Sequence, residues 1–523
     1  MGDTIQIMIT MVVYMLAVIG IGIAFAKRAN KNSDAYFLGG RSLGPWVTAM
    51  SAEASDMSGW LLMGLPGVAY WCGIADAAWT AIGLAVGTYL NWLITSRRLR
   101  RYSEKAGNAI TLPEFFSNRF HEKGKVIMTI SAIFILIFFT VYAASCLVTC
   151  GKLFSTLFGF DYVPMMIIGA VFVLVYTIIG GFLAESASDF MQAIVMIFAL
   201  IVIVITGTVA AGGPGAVFEN AKSIPGFLDF FGIASPVTAD GAQVIVNGQP
   251  QFGEAGSYGF LSVISTLAWG LGYFGMPQVL LRFMAIRKEK ELTRSRRIAT
   301  VWVVISLIVA VLIGVIGRTL YPTALTTSSS AENVFILLST NLLPPLLAGL
   351  VMAGILAATI SSSDSYLLIA ASAFSKNIYH GIMRKNATDK QVMIISRVTL
   401  LVITAVAIII ALDENSVIFT IVSFAWAGFG ATFGPLMLLS LFWKRINRAG
   451  AIAGMLSGGI MVFVWNLLIR PLGGAWDIYE LLPAFLFSCI CIVVVSLLTA
   501  PPSEEIQQEF EEVRAGNKEK AAS

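Results

Sequence analysis

Long apolar stretches, separated by short polar connections, run along almost the whole chain. A helix of about 20 apolar residues crosses the hydrocarbon core of a bilayer, so each such stretch is a candidate membrane span. Thirteen stretches qualify, several of them interrupted by Gly or Pro. They lie near residues 5–26, 44–70, 74–95, 126–155, 161–183, 189–212, 258–281, 299–321, 341–373, 392–412, 416–442, 449–470 and 480–499. The pattern predicts an all-α polytopic membrane protein with 13 transmembrane helices.

Lys and Arg are concentrated in every second connection between these spans. One set of connections carries Lys27, Lys31 and Arg41, and then the basic residues within 97–125, 282–297, 376–397 and 444–448. The other set carries only Lys152, Lys222, Arg318 and Arg470. Because cytoplasmic loops hold an excess of Lys and Arg, we expect the basic connections and the polar C-terminal tail in the cytoplasm and the N-terminus outside.

The composition excludes several classes of protein. Only 12% of the 523 residues are charged, against about 25% in soluble proteins, and 57% are hydrophobic, which argues against a soluble enzyme and excludes a disordered chain. The net charge of +4 comes without a basic patch interleaved with aromatic residues, which argues against a nucleic-acid partner. Five Cys and two His residues give neither a disulfide framework nor a zinc site. The first apolar run lacks the basic segment and cleavage site of a signal peptide, so we expect a retained span.

Two of the predicted spans contain residues that do not suit an unbroken helix. Residues 51–67 combine Ser, Glu and Asp with Gly and Pro, and residues 269–277 hold three Gly and a Pro. Irregular backbone at membrane depth is tolerated only where it is buried in protein or lines a wet cavity. These spans are the second and the seventh, so two inverted repeats of five spans would make them equivalent first helices. This arrangement predicts a transport site at the midplane between discontinuous helices, whereas the alternative is two Gly-rich packing helices.

The repeats divide the chain into six parts. These are a leading span and connection (1–43), repeat 1 with spans 2–6 (44–212), a long external loop (213–257), repeat 2 with spans 7–11 (258–443), two trailing spans (444–500) and the cytoplasmic tail (501–523). The external loop contains an Asn247-Gly248 step between alternating residues, which predicts a β-hairpin. It could be a lid over an outer vestibule, but we favour a tolerated surface insertion.

Carboxylates inside apolar runs are costly and usually functional. Asp56 and its neighbour Glu53 lie in the first broken span, and Asp364 lies in the ninth span beside Ser361 to Ser363. These serine hydroxyls could bond back to their own helix, or they could supply the oxygen ligands that a hard cation needs. Asp189 follows a pair of glycines, so an N-cap on the sixth span is the better interpretation of this residue.

Five motifs resemble the proline branch of the sodium:solute symporter family. They are Gly39-Gly-Arg-Ser-Leu-Gly-Pro45, Ser55-Asp-Met-Ser-Gly-Trp-Leu-Leu-Met-Gly-Leu-Pro-Gly67, Gly180-Gly-Phe-Leu-Ala184, Trp269-Gly-Leu-Gly-Tyr-Phe-Gly275 and Ala425-Trp-Ala-Gly-Phe-Gly430. The resemblance extends from the first span to about residue 500. It implies the fold of the bacterial leucine transporter, with one leading span, a 5+5 inverted-repeat core and two trailing spans. It also implies sodium-coupled uptake of L-proline through the cell membrane.

The resemblance further implies functions for individual residues. The sodium site would use the backbone carbonyls of Ala54, Met57 and Ala358 with the hydroxyls of Ser361 and Ser362. Asp56 would be the adjacent essential carboxylate, Arg41 would lie at the cytoplasmic mouth, and Asp189 would lie on the inner sodium exit path. The proline site would involve Ser58, Trp60, Tyr142, Trp269, Tyr273 and Pro277. Aromatic faces suit a pyrrolidine ring and its ammonium group, although for Tyr142 simple packing stays an equal alternative.

Three positions depart from the family pattern. Ser362 stands where close relatives often have Thr, which keeps the hydroxyl and should preserve sodium binding. Glu53 stands where a small neutral residue is usual, and Glu185 where an apolar one is usual. These extra carboxylates leave the ion stoichiometry and a contribution from protons open.

Other functions are compatible with parts of this sequence. The same fold could carry a different small solute, such as pantothenate, a sugar acid or another amino acid. A channel would show flux without saturation, and a sensor would need a signalling domain for which the tail after Pro501 leaves no room. An enzyme would need a nucleophile with its base, a metal cluster or a phosphate-binding loop, and we find none in the sequence. We expect the protein to lie in a lipid bilayer and to need no obligate protein partner.

Overall fold

The computed structural model describes residues 2–29 and 31–516. The side chain of Lys27 and residues 517–523 of the predicted tail lie outside the described residues. The α-helices of the described part are α1 Gly2–Ala29, α2 Ser33–Leu38, α3 Pro45–Asp56, α4 Leu65–Cys72, α5 Ile74–Leu90, α6 Ser96–Lys105, α7 Leu112–Arg119, α8 Val126–Phe158, α9 Tyr162–Ala210, α10 Pro214–Lys222, α11 Phe260–Leu267, α12 Trp269–Gly272, α13 Pro277–Ala285, α14 Leu292–Leu320, α15 Ser328–Ala331, α16 Val334–Leu342, α17 Pro345–Ser372, α18 Asp389–Ile410, α19 Ile418–Phe442, α20 Arg448–Val464, α21 Leu481–Leu498 and α22 Glu504–Ala515.

Shorter elements connect or interrupt these helices. The 3₁₀ and π-helical turns are Gly39–Arg41, Trp60–Gly64, Asn91–Thr95, Tyr273–Gly275, Glu289–Glu291, Ala373–Met383, Trp465–Ile469, Arg470–Leu472 and Gly474–Trp476. The strands are β1 Gly232–Ile233, β2 Thr238–Ala239, β3 Ala242–Gln243, β4 Ile245–Val246, β5 Gln249–Pro250 and β6 Gly256–Ser257. All of the strands lie in the long loop predicted at 213–257.

The helices have the length and composition of membrane spans. Within the described residues, 10 helices are long and apolar enough to cross a membrane, and the number is 11 if the bent pair Phe260–Gly275 and Pro277–Ala285 is one span. The prediction of a helical, polytopic membrane protein is therefore confirmed. At the centre, α17 packs against α1, α3, α8 and α9. From Val351 to Ser372 the side chains of α17 are buried on every face, as expected for a helix that other helices surround.

Both predicted interruptions are present. The first follows Asp56, where the dihedral angles of Met57 (φ −83°, ψ 76°) leave the helical region, and the helix resumes with the π-helical turn Trp60–Gly64. The second lies at Met276, which is extended (φ −75°, ψ 110°), and its two halves are bent by 42°. Pro277 begins the second half. The first N–H groups of a helix have no partner within the helix, so a proline at this position costs no helical hydrogen bond.

Two glycines allow the second broken span to lie against its neighbours. A Cβ on Gly270 would lie 2.2 Å from the carbonyl oxygen of Gly83 in α5, and a Cβ on Gly272 would lie 2.0 Å from Nε1 of Trp426 in α19. Any larger residue would push the backbone of α12 away from both helices. Gly270 and Gly272, which the sequence suggested as helix breakers, are helical residues of α12 and instead allow its close approach to α5 and α19.

The predicted fifth and sixth spans are continuous except at one residue. Helix α9 covers both, and only Gly181 departs from helical geometry (φ 60°, ψ −177°). Gly181 adopts this conformation without the steric cost that a side chain would bring.

The loop at 213–257 is folded against the rest of the protein. Its strands form three antiparallel pairs, β1 with β6, β2 with β3 and β4 with β5, and the last pair encloses the predicted Asn247-Gly248 turn. Trp79 Nε1 donates to the carbonyl of Phe230 at 2.8 Å, and Arg318 donates to Oε1 of Gln243 at 2.6 Å. The loop thus covers the adjacent ends of α5 and α14, and we call this side the outer face.

The opposite side, which carries Arg41, α6 and α7, is called the inner face. Helix α22 lies on it, within the tail that the sequence predicted to be polar. Ile506, Phe510 and Val513 are buried because their spacing places them on one side of the helix. On the polar side, Lys105 pairs with Glu512 at 2.8 Å.

Candidate functional site

Asp56 connects the two broken spans. It is the last residue of α3 and is fully buried. Its Oδ2 accepts a hydrogen bond from Oη of Tyr273 at 2.7 Å, and its Oδ1 accepts one from Nε2 of Gln278 at 3.4 Å. Tyr273 comes just before the second interruption and Gln278 just after it. A single carboxylate therefore contacts both halves of the second broken span.

Because α3 ends at Asp56, the backbone carbonyl of Asp56 can accept hydrogen bonds from groups outside this helix. This oxygen accepts hydrogen bonds from the backbone N–H of Ser58 at 3.0 Å and from Nε1 of Trp60 at 3.3 Å. Oη of Tyr142, on α8, donates to it at 3.4 Å. Three residues predicted for the substrate site, Ser58, Trp60 and Tyr142, are thus gathered around Asp56.

Four of the five predicted cation ligands meet between α3 and α17. Oγ of Ser361 donates to the carbonyl of Ala54 at 2.8 Å and to that of Ala358 at 3.2 Å. Oγ of Ser362 donates to the carbonyl of Ala54 at 3.3 Å. All of these residues are fully buried, as is Met57, which lies at the interruption itself. Neutral carbonyl and hydroxyl oxygens in a dehydrated position are ligands that suit a hard cation.

Aromatic rings surround Trp269 on the second broken span. Its ring centroid lies 6.3 Å from that of Trp60, 5.2 Å from Phe419, 5.1 Å from Tyr479 and 5.9 Å from Trp426. Nε1 of Trp426 donates to the carbonyl of Trp269 at 2.8 Å. The predicted pair of Trp60 and Trp269 is therefore part of a larger aromatic group.

The sequence analysis did not assign several residues of this site. Besides Phe419, Trp426 and Tyr479 they include Gln278 and Tyr366, which stacks on Tyr142 with centroids 4.2 Å apart. Two of them had a signal in the sequence: Trp426 lies in the motif Ala425–Gly430, and Gln278 follows the Pro that marks the second interruption. Tyr479 had none, because it lies in a connection between two trailing helices.

The site is closed on both faces. Asp56 is fully buried, and only 3% of Trp269 and 1% of Tyr273 are exposed to solvent. Phe419 and Tyr479 pack against Trp269, while the inner half of the second span, α13, is buried throughout. A ligand bound between these residues would be separated from both faces.

The chain matches a known family and known relatives along most of its length. A family model described as the sodium:solute symporter family matches residues 36–458. The chain belongs to the sodium:solute symporter family. It is 42% identical over 521 residues to a sodium/proline symporter of Haemophilus influenzae, covering 98% of both chains. It is 40% identical over 509 residues to the osmoregulated proline transporter OpuE of Bacillus subtilis, covering 97% of this chain and 98% of that one.

Two solved structures share the fold. A Na⁺-coupled sialic acid symporter in a substrate-bound outward-open state matches with a TM-score of 0.76 at 19% identity, covering 95% of this chain and 99% of that one. A closed, ligand-bound nucleobase-cation-symport-1 transporter matches with a TM-score of 0.53 at 13% identity, covering 91% and 98%. The symporter fold thus extends over nearly the whole chain.

On the inner face of this symporter, Arg41 connects three segments. Its guanidinium donates to the carbonyl of Met284 in α13 at 2.6 Å and to that of Ala109 at 2.8 Å. It also donates to Oδ1 of Asn108 at 2.9 Å and to Oγ of Ser103 at 3.1 Å. These contacts hold α13 against residues 103–109.

Asp189 is not a helix cap, in contrast to the sequence-based interpretation. Helix α9 departs from helical geometry at Gly181, so Asp189 lies two turns inside the helical segment that follows. Its Oδ2 accepts from Oγ of Ser51 at 2.7 Å and from Arg282 at 3.3 Å. Arg282 was grouped with the basic connection at 282–297, but it is fully buried and also pairs with Glu185. The sequence misled because Arg282 lies only a few residues before the exposed basic residues Arg287 and Lys288.

The remaining buried carboxylates have different surroundings. Oε1 of Glu53 accepts from Nε1 of Trp92 at 3.1 Å, in the π-helical turn Asn91–Thr95 that follows α5. Glu185 accepts from Oγ of Ser365 as well as from Arg282. Asp364 accepts from the backbone N–H of Ser365 at 2.7 Å. Glu185, Asp189 and Asp364 therefore lie in the inner half of the core together with the guanidinium of Arg282.

Proposed function

We propose that this protein is a sodium-coupled symporter that imports L-proline by alternating access. The observation that carries the proposal is the position of Asp56. It lies between the oxygen cluster at Ala54 and Ser361 and the aromatic group at Trp269, and it contacts both broken spans. The relatives named as proline transporters, at about 40% identity over nearly the full chain, support the choice of substrate.

Sodium would bind to the carbonyls of Ala54, Met57 and Ala358 and to the hydroxyls of Ser361 and Ser362. The contacts between these groups support the assignment, since a cation could replace the serine protons as the partner of the carbonyls. Binding would fasten α3 to α17. Because α3 ends at Asp56, this contact would also fix the carboxylate next to the substrate.

L-Proline would bind among Ser58, Trp60, Tyr142, Trp269, Tyr273 and Pro277. Its secondary ammonium group suits a position between Asp56 and the indole faces, through charge and cation–π contact. Its pyrrolidine ring suits the apolar faces of Trp60 and Trp269. Pro277 would act through the backbone, because it sets the start of α13 and thereby the position of Gln278.

In its full architecture we propose 13 spans, with repeats at 44–212 and 258–443 related by inversion. The interruptions near Met57 and Met276 would then be equivalent, and the break at Gly181 would separate spans 5 and 6. With 13 spans the termini would lie on opposite sides, and the basic connections would place the N-terminus outside and the tail in the cytoplasm. Arg41 would gate the inner mouth, and Asp189 would lie on the sodium exit path.

The energetics are sufficient for accumulation. Proline is a zwitterion, so each sodium ion carries one net charge inward, which supplies about 2.3 kcal/mol per 100 mV of membrane potential. A tenfold sodium gradient adds about 1.4 kcal/mol. Together they allow accumulation on the order of 500-fold. A facilitator without coupling would not accumulate substrate at all.

The test is uptake of radiolabelled L-proline into proteoliposomes that contain only this protein. An inward sodium gradient is compared with a potassium gradient and with a proton gradient. Transient accumulation with sodium alone is the expected result. Accumulation driven by protons would point to Glu53 or Glu185 as a coupling site instead. Absence of proline uptake under every gradient would overturn the substrate, and competition with other amino acids, pantothenate and sugar acids would then identify the solute.

A further inference from the structure

A groove opens toward the bilayer where α3 and α14 begin on the inner face. Oγ of Ser295, in the first turn of α14, donates to the carbonyl of Pro45, the first residue of α3, at 2.9 Å. The groove beside this contact has a volume of about 390 Å³, and α9 forms its third wall. The proposed transport site uses none of the residues that line it. These are Trp46, Met50, Ile197, Arg297, Ile298, Val301, Trp302 and Ile305.

The walls of the groove are apolar and face lipid. Val301 is 60% exposed and Ile305 is 42% exposed, although α14 is one of the helices that are long and apolar enough to cross a membrane. Met50 and Trp302 are buried and form the floor. Nε1 of Trp302 donates to the carbonyl of Ala193 at 3.2 Å and so joins α14 to α9. The groove is therefore an apolar surface that a lipid acyl chain can cover.

Two arginines lie at the inner end of this groove. Arg297 lines it, and the guanidinium of Arg294 lies 5.7 Å from the ring centroid of Trp46. Because they are three residues apart, both lie on the same side of α14. Trp46 is half-exposed, and tryptophan is typical of the depth at which lipid headgroups meet the hydrocarbon. We call Arg294 and Arg297 the groove arginines.

The positive charge of the groove arginines is not neutralised by the acidic residues before them in the chain. Glu289 pairs with Arg101 at 2.6 Å, and Glu291 pairs with Arg287 at 2.9 Å. Within residues 2–29 and 31–516, neither groove arginine forms an ion pair with a carboxylate. Two positive charges therefore lie next to an apolar groove at the level of the headgroups.

We propose that this groove binds one anionic phospholipid from the leaflet at the inner face. Its phosphate would lie on the groove arginines, because a guanidinium binds phosphate through paired hydrogen bonds. One acyl chain would lie between α3, α9 and α14. A choline or ethanolamine headgroup carries its own positive charge, which opposes the arginines, so the site selects a headgroup with net negative charge. Basic pockets between membrane helices on the cytoplasmic side bind anionic headgroups in this way.

A lipid in this groove would contact the inner half of the first broken span. Trp46 and Met50 belong to α3, whose other end carries Ala54 and Asp56. The lipid would therefore hold α3 against α14 and raise the unfolding temperature, because a ligand that binds only the folded protein stabilises it. Binding itself does not depend on the proposed transport function.

A general attraction between the basic inner face and anionic lipid predicts different behaviour. Arg296 lies on the same turn of α14 as the groove arginines, but its guanidinium lies 5.4 Å from the ring centroid of Tyr89 on α5. Loss of Arg296 removes the same charge without changing the groove. General attraction makes Arg296 and Arg297 equivalent, whereas a defined site does not.

The experiment titrates the purified full-length protein in a neutral detergent with palmitoyl-oleoyl phosphatidylglycerol, or with phosphatidylcholine that has the same chains. Native mass spectrometry counts the bound lipids, and the unfolding temperature is measured in parallel. Inorganic phosphate serves as an anion without a chain. The headgroup variants are Arg294→Gln, Arg297→Gln and the double variant, with Arg296→Gln as the matched control.

A second pair of variants tests the acyl chain. Val301→Trp places a large ring in the groove and leaves both groove arginines in place. Val398→Trp is its control, because Val398 is 49% exposed and also lies in the first half of a membrane helix, α18. Both positions face lipid, so neither substitution disturbs the packed core.

We expect the first phosphatidylglycerol to bind more tightly than phosphatidylcholine and to raise the unfolding temperature, while inorganic phosphate does not. Arg294→Gln and Arg297→Gln should each weaken its binding by about five-fold, and the double variant by about 25-fold. Binding of phosphatidylcholine should not change in these variants. Arg296→Gln and Val398→Trp should match the parent protein, whereas Val301→Trp should weaken the binding of both lipids.

Three results would overturn the lipid site. One is equal affinity of the parent protein for the two lipids. Another is an equal effect of Arg296→Gln and Arg297→Gln, which would mean general attraction. The third is stabilisation by inorganic phosphate as large as that by phosphatidylglycerol, which would mean an anion site without a lipid. The assay contains neither sodium nor proline, so failure of proline uptake in proteoliposomes would refute the proposed function without affecting this result.

Discussion

The two broken spans use the same kind of interruption for different chemistry. In the first, Pro45–Asp56 and the segment that follows, the break places backbone oxygens opposite the serines of α17. In the second, the residues before the break are Trp269 and Tyr273, and they face other aromatic rings. One interruption therefore offers oxygens for a cation, and the other offers flat apolar surfaces for an organic solute.

The difference indicates where the proposed coupling between the two ligands would pass. Ala54 and Asp56 are two residues apart at the end of α3, so a cation held by the first restricts the second. Asp56 in turn accepts from Tyr273 and Gln278 across the second interruption. Coupling is a linkage between two sites, and under the proposed function the carboxylate of Asp56 would connect them.

The largest effect should come from Asp56→Asn. The amide keeps the shape but loses the charge that faces both ligands, and hydrogen bonds to charged groups are worth about 1.5–3 kcal/mol. We expect sodium-dependent proline uptake to fall by roughly 30-fold or more, while the protein still reaches the membrane. Uptake in proteoliposomes over a range of sodium concentrations measures this.

Asp413→Asn is the matched control, because it makes the same change in an exposed connection. It should leave uptake and its sodium dependence unchanged. Sodium activation in Asp56→Asn that resembles the parent protein would refute the assignment of Asp56. It would also remove the connection between the two broken spans.

The proposed cation site between α3 and α17 can be tested by substituting neighbouring serines of α17. Ser361→Ala and Ser362→Ala each remove a hydroxyl that contacts Ala54 on the first broken span, and each should raise the half-saturating sodium concentration by about tenfold. Ser363→Ala is the control, because its hydroxyl bonds only to carbonyls of its own helix, those of Thr359 and Ile360. Equal effects of all three substitutions would indicate that α17 is merely destabilised.

The aromatic group around Trp269 is tested by Trp269→Ala. Loss of the indole face should raise the half-saturating proline concentration several-fold, by roughly 1 kcal/mol of aromatic and cation–π contact. The sodium value should change less, because the oxygen cluster is untouched. Trp302→Ala, on α14 and bonded to the carbonyl of Ala193, is a control for removing a large buried ring. A larger effect of Trp269→Ala on sodium than on proline would place the substrate elsewhere.

Local sequence predicted the interruptions better than it predicted their surroundings. Gly, Pro and polar residues within apolar runs marked the breaks near Met57 and Met276, because such residues oppose a membrane helix wherever they occur. The sequence also indicated the serines of α17 as possible cation ligands, because three of them are adjacent. Only the family resemblance implied that they lie near Ala54.

What the sequence missed depends on contacts between distant segments. Phe419 and Tyr479 reach Trp269 from elements that are about 150 to 210 residues away along the chain, and aromatic residues are too common in membrane helices to signal such a meeting. Asp189 was placed at a helix start because its neighbouring glycines suggested an end, whereas only Gly181 leaves the helix. Arg282 looked like a loop residue until its buried partners were known.

The smallest expected effect separates the two contacts that Asp56 makes across the second interruption. Tyr273 donates to it at 2.7 Å and Gln278 at 3.4 Å, so the second bond is the weaker one. Gln278→Leu should therefore reduce the proline-dependent increase in sodium affinity by only a few-fold, about 0.5–1.5 kcal/mol for a single hydrogen bond, and Tyr273→Phe should reduce it more. Sodium binding to purified protein, with and without proline, measures both. If Gln278→Leu has the larger effect, coupling passes through the inner half of the second span, α13, rather than through the aromatic half.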